Sequence, residues 1–335
     1  MTKLVYYSSL FKNYIERKGI IDNLELKYIK ELTSFCSPTD LFINSIWGEV
    51  DDTLIELIKQ KPSRAIVYSG MDWENTVCQK DFHNFINKHI KNTLYIGNSD
   101  GIGYFSFWLF FIEKYYKSYP IEQIELNNPK YLYICLNRKR HPHRVELIDR
   151  LKEEGLFEYG LVSLGGDLKN NIPQLNLNVD VDEVDGNRAT DYKFGDIPND
   201  ISSIGGLANW NNTLINIVTE TTTHTHTFIS EKTWKPILGL RPFMIVGDYK
   251  IYSYLKDYGI DTFDDIFGTG YEHPWVYNRI EWVINNLKKY SSTNLLDMYK
   301  DLYPRLVKNK LQLQKIFKIN SSRYQKVINL INRNS

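Results

Sequence analysis

Cysteine is scarce in this chain. Its 335 residues hold only Cys36, Cys78 and Cys135, an odd number set far apart, so neither a disulfide framework nor a thiolate metal site is indicated. Long apolar runs are missing too. The longest lies near residues 102–112, short of the roughly 20 residues that a bilayer-spanning helix needs. The opening MTKLVYYSSLFKNYIERKG lacks the pattern of a secretory signal. These absences lead us to expect a soluble, cytoplasmic protein with no stable membrane insertion. Glycine-rich phosphate loops are also absent. Neither a Walker A pattern nor G-x-G-x-x-G follows a strand, and Gly101-Ile-Gly103 is too short a match, so ATPase and hydride-transfer readings lose support. No internal repeat is visible.

What is present describes a globular α/β chain. Hydrophobic residues make up 42% and charged residues 24%, enough apolar material for a core, and the length suits two ordinary domains. Residues 4–8, 40–47, 64–69 and 94–96 read as strands, the third broken at Gly70 and the fourth ended by Gly97. Helical spacing fills the intervals. Leu54, Ile55, Leu57 and Ile58 line up over 52–61; Phe82, Phe85, Ile86 and Ile90 share a face over 82–90; an aromatic-rich helix covers 105–119. Strands alternating with helices imply a parallel sheet covered on both faces.

Residues 120–130 have little periodicity and form the candidate linker. The alternation restarts with a strand at 131–136, a helix at 144–154 and a strand or turn at 157–164. Residues 167–206, rich in Asn, Asp and Pro, read as a long loop. A helix at 251–258 and terminal helices near 274–290, 294–317 and 321–332 complete the chain, with Pro304 kinking or dividing the second of these. The expected organisation is an N-terminal domain over 1–120, a second domain over 121–273, and basic C-terminal helices over 274–335 packing across the domains.

The formal net charge is only +1, but its distribution is uneven: from Lys288 onward there are eleven Lys or Arg against two Asp. A basic end on an acidic body points to an anionic partner such as nucleic acid, with Lys308, Lys310, Lys315, Lys318 and Arg323 as candidate contacts. The same pattern also suits a lysine-rich solvated helix face.

The chain is organised around residues 219–247, TETTTHTHTFISEKTWKPILGLRPFMIVG. The apolar, β-branched run before it, 214–219, predicts a buried strand. Ser230 suits a helix N-cap, with Glu231 in the first turn, and Pro242 opens a second strand, Phe243–Val246, closed by Gly247. A helix N-terminus at the carboxyl end of a parallel strand offers unpaired amides to an anion. Lys232 adds a mobile cation and Glu231 an acceptor pair for sugar hydroxyls, a combination suited to a nucleoside diphosphate. Ordinary first-turn charges on a solvated helix would look the same from spacing alone.

Other candidates lie at strand ends. The segment NRKRHPHR, residues 137–144, follows a strand and opens a helix. Its Arg138, Lys139, Arg140 and Arg144 could gather phosphate oxygens or form a basic surface loop, and Asn137, where the segment begins, is a further donor-binding candidate. His141 and His143 lack a third ligand for a metal. His224 and His226 alternate on an extended segment and could polarise a phosphate or sugar, or simply pack. Glu220 ends a buried strand, where a carboxylate is costly without a partner or a cleft. Asp72, Glu74 and Asp100 sit just beyond strands of the first half and are candidate general bases, or caps and loop acids.

Taken in order, these pieces resemble the fucosyltransferase-like glycosyltransferases of the GT-B architecture, including viral and phage relatives. FISEKTWKPILGLRPFMIVG resembles that family's Thr-Glu-Lys helix start followed by a Pro-containing strand. NRKRHPHRVELIDRL resembles a segment ending in a donor-binding arginine, and IVYSGMDWEN a Tyr-Thr-Gly-Glu-Asn stretch bearing the catalytic carboxylate. The resemblance spans roughly residues 130–265 well and 60–105 weakly. It implies two Rossmann-like domains facing a cleft. Glu231 takes the ribose role, Lys232 and Arg144 the phosphate role, and Glu220 matches the carboxylate closing the preceding strand. Met71 stands where the family carries its carboxylate, which moves the base role to Asp72 or Glu74.

The resulting expectation is a metal-independent, inverting transferase that uses a UDP- or GDP-type nucleotide sugar as donor substrate, with no separate cofactor. The expected acceptor is DNA, through a hydroxymethylated pyrimidine extruded from the duplex, which would place a phage-encoded enzyme in the host cytoplasm. The alternatives are a transferase acting on lipopolysaccharide or another surface glycan, and an inactive nucleotide- or nucleic-acid-binding module.

Overall fold

The computed structural model describes residues 4–7, 20–44, 50–69, 77–97, 105–123, 129–137, 140–165, 193–194, 197–198, 204, 207–223 and 227–333. The chain divides into two compact units: Met1–Phe110 with Phe317–Ser335, and Phe111–Ile316. The division therefore falls before the expected 120–130 linker, and the terminal residues are shared between the units instead of forming a body of their own.

The first unit is built on four parallel strands in chain order: β1 (Leu4–Tyr7), β2 (Asp40–Asn44), β3 (Arg64–Ser69) and β4 (Thr93–Gly97). Helices α1 (Ile20–Ser34), α2 (Asp52–Lys59) and α3 (Val77–His89) connect them. The two periodicities meet in one core. Leu41 and Ile43 on β2 and Ala65 and Val67 on β3 project to one face with period two. Against them pack Leu54 of α2, Phe82 and Ile86 of α3, and Ile90 just beyond it. Asp51 caps α2, its Oδ1 accepting from the Leu54 amide at 2.9 Å.

Helix α1 has no counterpart in the sequence reading; its buried Ile29 and Leu32 lie among charged residues that hide the stripe. Arg64, fully buried, donates from Nη2 to Asp40 Oδ2 at 2.5 Å and to the Ile331 carbonyl at 3.0 Å. The end of the last helix is thereby tied to the start of β3.

Helix α4 (Phe107–Tyr116) carries the chain onward. The second unit contains β5 (Tyr131–Asn137), α5 (Pro142–Glu153), β6 (Gly160–Leu164), the two-residue antiparallel pair β7 (Lys193–Phe194) and β8 (Ile197–Pro198), α6 (Leu207–Asn211), β9 (Thr213–Thr219), α7 (Glu231–Leu238) and β10 (Phe243–Val246). Its four-stranded parallel sheet has the order β10-β9-β5-β6. All of β9 and β10 is buried, as expected for strands covered on both faces. Gly160 is required by packing: a Cβ there would fall 2.2 Å from the Tyr133 ring.

Helices α8 (Ile251–Asp257), α9 (Asp264–Phe267), α10 (Val276–Tyr290) and α11 (Leu295–Arg333) complete the chain. The last is one continuous helix of 39 residues, where a kinked helix and a separate terminal one were expected. Pro304 lies on the exposed face together with Lys300, so the carbonyl that the proline leaves unpaired can be solvated. Asn320, between the two expected helices, is buried in the first unit. It exchanges hydrogen bonds with the Ser106 backbone, at 2.6 Å and 2.9 Å, and the helix runs on. Among the described residues no helix is long and apolar enough to cross a membrane.

Candidate anion site at the strand-order reversal

In the second sheet β5 goes on to β6 on one side, and the chain then returns to place β9 on the other side of β5. Ligands of open α/β sheets bind outside the carboxyl ends of strands at such a reversal. Here those ends are Asn137 and Thr219. The Thr219 hydroxyl donates to Asn137 Oδ1. The Asn137 amide nitrogens are engaged as well: the backbone N–H donates to Ser163 Oγ at 3.0 Å and Nδ2 to Cys135 Sγ at 3.3 Å. Burial pushes the Cys135 thiol up to about 11, although Asn137 and Arg144 pull the other way, so it is not a reactive thiolate.

Helix α5 enters through Pro142 at its first turn, where the missing N–H costs nothing. The next two side chains turn back to β9. His143 Nε2 lies 2.8 Å from the Glu220 carbonyl; a carbonyl only accepts, so this nitrogen carries the proton. Arg144 Nη2 donates to the Thr219 carbonyl at 2.8 Å. Both side chains are buried.

Glu220 is wholly buried and saturated by the protein's own donors. Its Oε1 accepts from the Ser230 amide at 3.0 Å and Thr233 Oγ1 at 2.7 Å, and its Oε2 from Ser230 Oγ at 2.6 Å. Glu220, which the resemblance matches to the carboxylate closing the preceding strand, fastens the start of α7 to the end of β9. Gly247 permits the close approach, since a Cβ there would sit 3.2 Å from Glu220 Cβ and 2.6 Å from Ile251 Cδ1.

Ser230 is the N-cap, as expected, and its Oγ accepts from the Lys232 amide at 3.3 Å. The amides expected to meet an anion are therefore largely engaged inside the protein. Ser230 N–H goes to Glu220, Lys232 N–H to Ser230 Oγ, and Thr233 N–H to the Ser230 carbonyl at 3.2 Å. Positive charge at this end comes from the helix dipole and from Lys232.

The Lys232 side chain is 28% exposed; its ammonium reaches Glu231 Oε1 at 2.9 Å and Ser230 Oγ at 3.0 Å. Glu231 is 2% exposed, and its second oxygen, Oε2, has no hydrogen-bond partner among the described residues. Burial raises the Glu231 pKa, but Lys232 and Lys235 more than offset this, and the carboxyl is held below its usual range. An ionised carboxylate oxygen without a donor is costly, and a ligand hydroxyl would remove the cost.

Five of the expected residues, Asn137, Arg144, Glu220, Glu231 and Lys232, thus fall into one connected network, linked through Thr219 and Ser230. Asp72, Glu74, Asp100, Arg138 and His226 lie outside the described residues. So does an Asp-x-Asp pair, Asp180 and Asp182, where the expectation of metal independence supposed none. Among the described residues no group of three or more His, Cys, Asp or Glu is placed to hold a metal ion.

On α11, Lys308, Lys315 and Lys318 are exposed and Arg323 half-buried. Lys310 is not a surface contact. It is buried, and its ammonium nitrogen donates to the Tyr119 carbonyl and, at 2.9 Å, to the carbonyl of Leu238, the last residue of α7. Burial lowers its pKa to about 7. The signal was present in the sequence: Leu306, Lys310, Leu313 and Phe317 follow one helical stripe, and all are buried. Arg279 is a second case. It interrupts the buried stripe of α10 and bonds the Thr223, His273 and Pro274 carbonyls.

Comparison with protein-family models, with curated proteins and with solved structures finds no match to the chain.

Proposed function

We propose that this protein is a nucleotide-sugar-dependent glycosyltransferase of the GT-B type, with its donor site at the start of α7. The observation that carries the reading is the Glu231–Lys232 pair beside the strand-order reversal. Among the described residues one oxygen of a buried carboxylate lacks a hydrogen-bond donor, and the adjoining ammonium is partly open to solvent. A ribose hydroxyl supplies the missing donor, and a diphosphate takes the ammonium at the positive end of the helix. In the transfer step a carboxylate removes the acceptor hydroxyl proton as the oxygen attacks the anomeric carbon. The bond from that carbon to the diphosphate oxygen breaks, and the diphosphate leaves with the electron pair. Lys232 meets the developing charge directly. Arg144, with Nη2 engaged by Thr219, adds its charge from behind that carbonyl. The base belongs among Asp72, Glu74 and Asp100.

The test is thermal unfolding with a panel of nucleoside diphosphates and nucleotide sugars. A true donor at a hundredfold excess over its Kd adds about 2.7 kcal/mol, and Lys232→Ala and Glu231→Gln reduce that gain. A folded wild-type chain that no member of the panel stabilises sinks the reading.

For the acceptor, the exposed lysines of α11 support DNA, held through phosphate contacts that carry no sequence information. One observation favours a glycan presented at an anionic lipid surface: Leu311 is 48% exposed on the same helix as Lys308 and Lys315, and DNA has no use for it. A salt-sensitive gel shift with duplex DNA supports the first; binding only to anionic vesicles supports the second.

A further inference from the structure

Trp275 stands apart from the other described tryptophans. Among the described residues Trp108, Trp210, Trp234 and Trp282 are buried, whereas Trp275 is 69% exposed. The turn that carries it is firmly built all the same. The Trp275 amide donates to His273 Nδ1 at 3.1 Å. Arg279, with no exposed surface, donates from Nη1 to the His273 carbonyl at 2.6 Å and the Pro274 carbonyl at 3.0 Å. Its Nη2 donates to the Thr223 carbonyl at 2.6 Å. One buried guanidinium therefore clamps the indole-bearing turn to the segment that leaves β9. That segment is also held by Thr227 Oγ1, which donates to Asp248 Oδ1 at 3.2 Å. Thr223 lies three residues beyond Glu220, a stretch of chain that spans at most about 10 Å.

A buried cation that fixes the backbone of the turn removes that part of the ordering entropy from the cost of using its exposed aromatic ring in binding. An open indole face on an anchored turn suits another planar ring. That turn is tied through Arg279 to Thr223, three residues beyond the Glu220 that holds the start of α7. We propose that Trp275 is the stacking platform for the base of the nucleotide whose diphosphate the α7 site takes. This rests on the donor-site reading above.

The experiment is calorimetric titration of the full chain with inorganic pyrophosphate, uridine diphosphate and guanosine diphosphate, for the wild type, Trp275→Ala and Trp275→Phe. Pyrophosphate should bind the wild type and Trp275→Ala alike. A nucleoside diphosphate should bind the wild type more tightly than pyrophosphate and lose about 5- to 100-fold in Trp275→Ala, the effect of one base–aromatic stack. Trp275→Phe should recover part of that loss. The side chain is exposed, so neither variant should affect folding.

If Trp275→Ala binds nucleoside diphosphates as well as the wild type does, the platform is overturned and the nucleotide site stands. An equal loss of pyrophosphate and nucleotide affinity overturns it as well, because the residue then acts through the anion site. If none of the three probes binds the wild type, the donor-site reading fails and the platform with it.

Discussion

Each four-stranded sheet has an inner strand that ends in asparagine, β2 at Asn44 and β5 at Asn137, and the two side chains are both fully buried. Asn137 is connected on every side: its Oδ1 accepts from Thr219, its Nδ2 donates to Cys135, and its backbone joins Ser163 and Gly165. Asn44 has neither a donor for its Oδ1 nor an acceptor for its Nδ2 among the described residues. The difference follows the strand order. In the first sheet the strands advance in chain order. In the second the order reverses between β5 and β9, so the ends of two strands and the starts of two helices converge and satisfy one another. The reversal, more than the parallel sheet as such, turns buried polar residues into a network.

The largest effect should come from breaking that network. Glu220→Ala removes three hydrogen bonds to a buried carboxylate and should cost at least about 3 kcal/mol in denaturant unfolding; a loss under about 1 kcal/mol would mean that α7 is held by something else. The two asparagines make a sharper contrast. Asn137→Leu should destabilise by about 2 kcal/mol, because it leaves the Thr219 hydroxyl and its neighbours unpaired. Asn44→Leu should stabilise by about 1 kcal/mol, because it removes two unsatisfied groups. If both changes destabilise equally, the contrast between the sheets is void.

Lys310 gives a smaller, pH-dependent effect. Its folded pKa, about 7, lies below the ordinary 10.5, so between those values the unfolded chain binds the extra proton. Stability from this group therefore rises with pH across that window and is flat below it. Relative to Lys310→Met, the wild type should gain stability from pH 7 to 9.5, by at most about 1.4 kcal/mol per pH unit; parallel curves would refute the assignment. Smallest of all, Lys308→Gln and Lys315→Gln should change stability by less than about 0.5 kcal/mol, while weakening whatever anionic partner binds α11.

Much of the second sheet is legible in the sequence because punctuation frames it. Strand β10 lies between Pro242 and Gly247, and the expected bounds match the observed Phe243–Val246; β3, broken at Gly70, matches as well. The Ser230 cap was legible from residue type and position. What the sequence hides is the partner. Nothing local says that Glu220 would be satisfied by Ser230 and Thr233, that Lys310 would face two carbonyls, or that Asn320 would find Ser106. Each pairing joins residues that only the fold brings together. The unbroken α11 is the same lesson: Pro304 reads as a breaker by propensity, and its surroundings override it.

The make-up of the first unit has a consequence for its assembly. Its strands all precede residue 98, yet it also needs Asn320 for Ser106 and the Ile331 carbonyl for Arg64. During synthesis the ribosome must translate every residue of the second unit before those partners exist. The earlier-made unit is thus the later one to close. A chain stopped after Ile316 keeps both sheets complete, and should show the second unit melting cooperatively while the first is readily cut by protease.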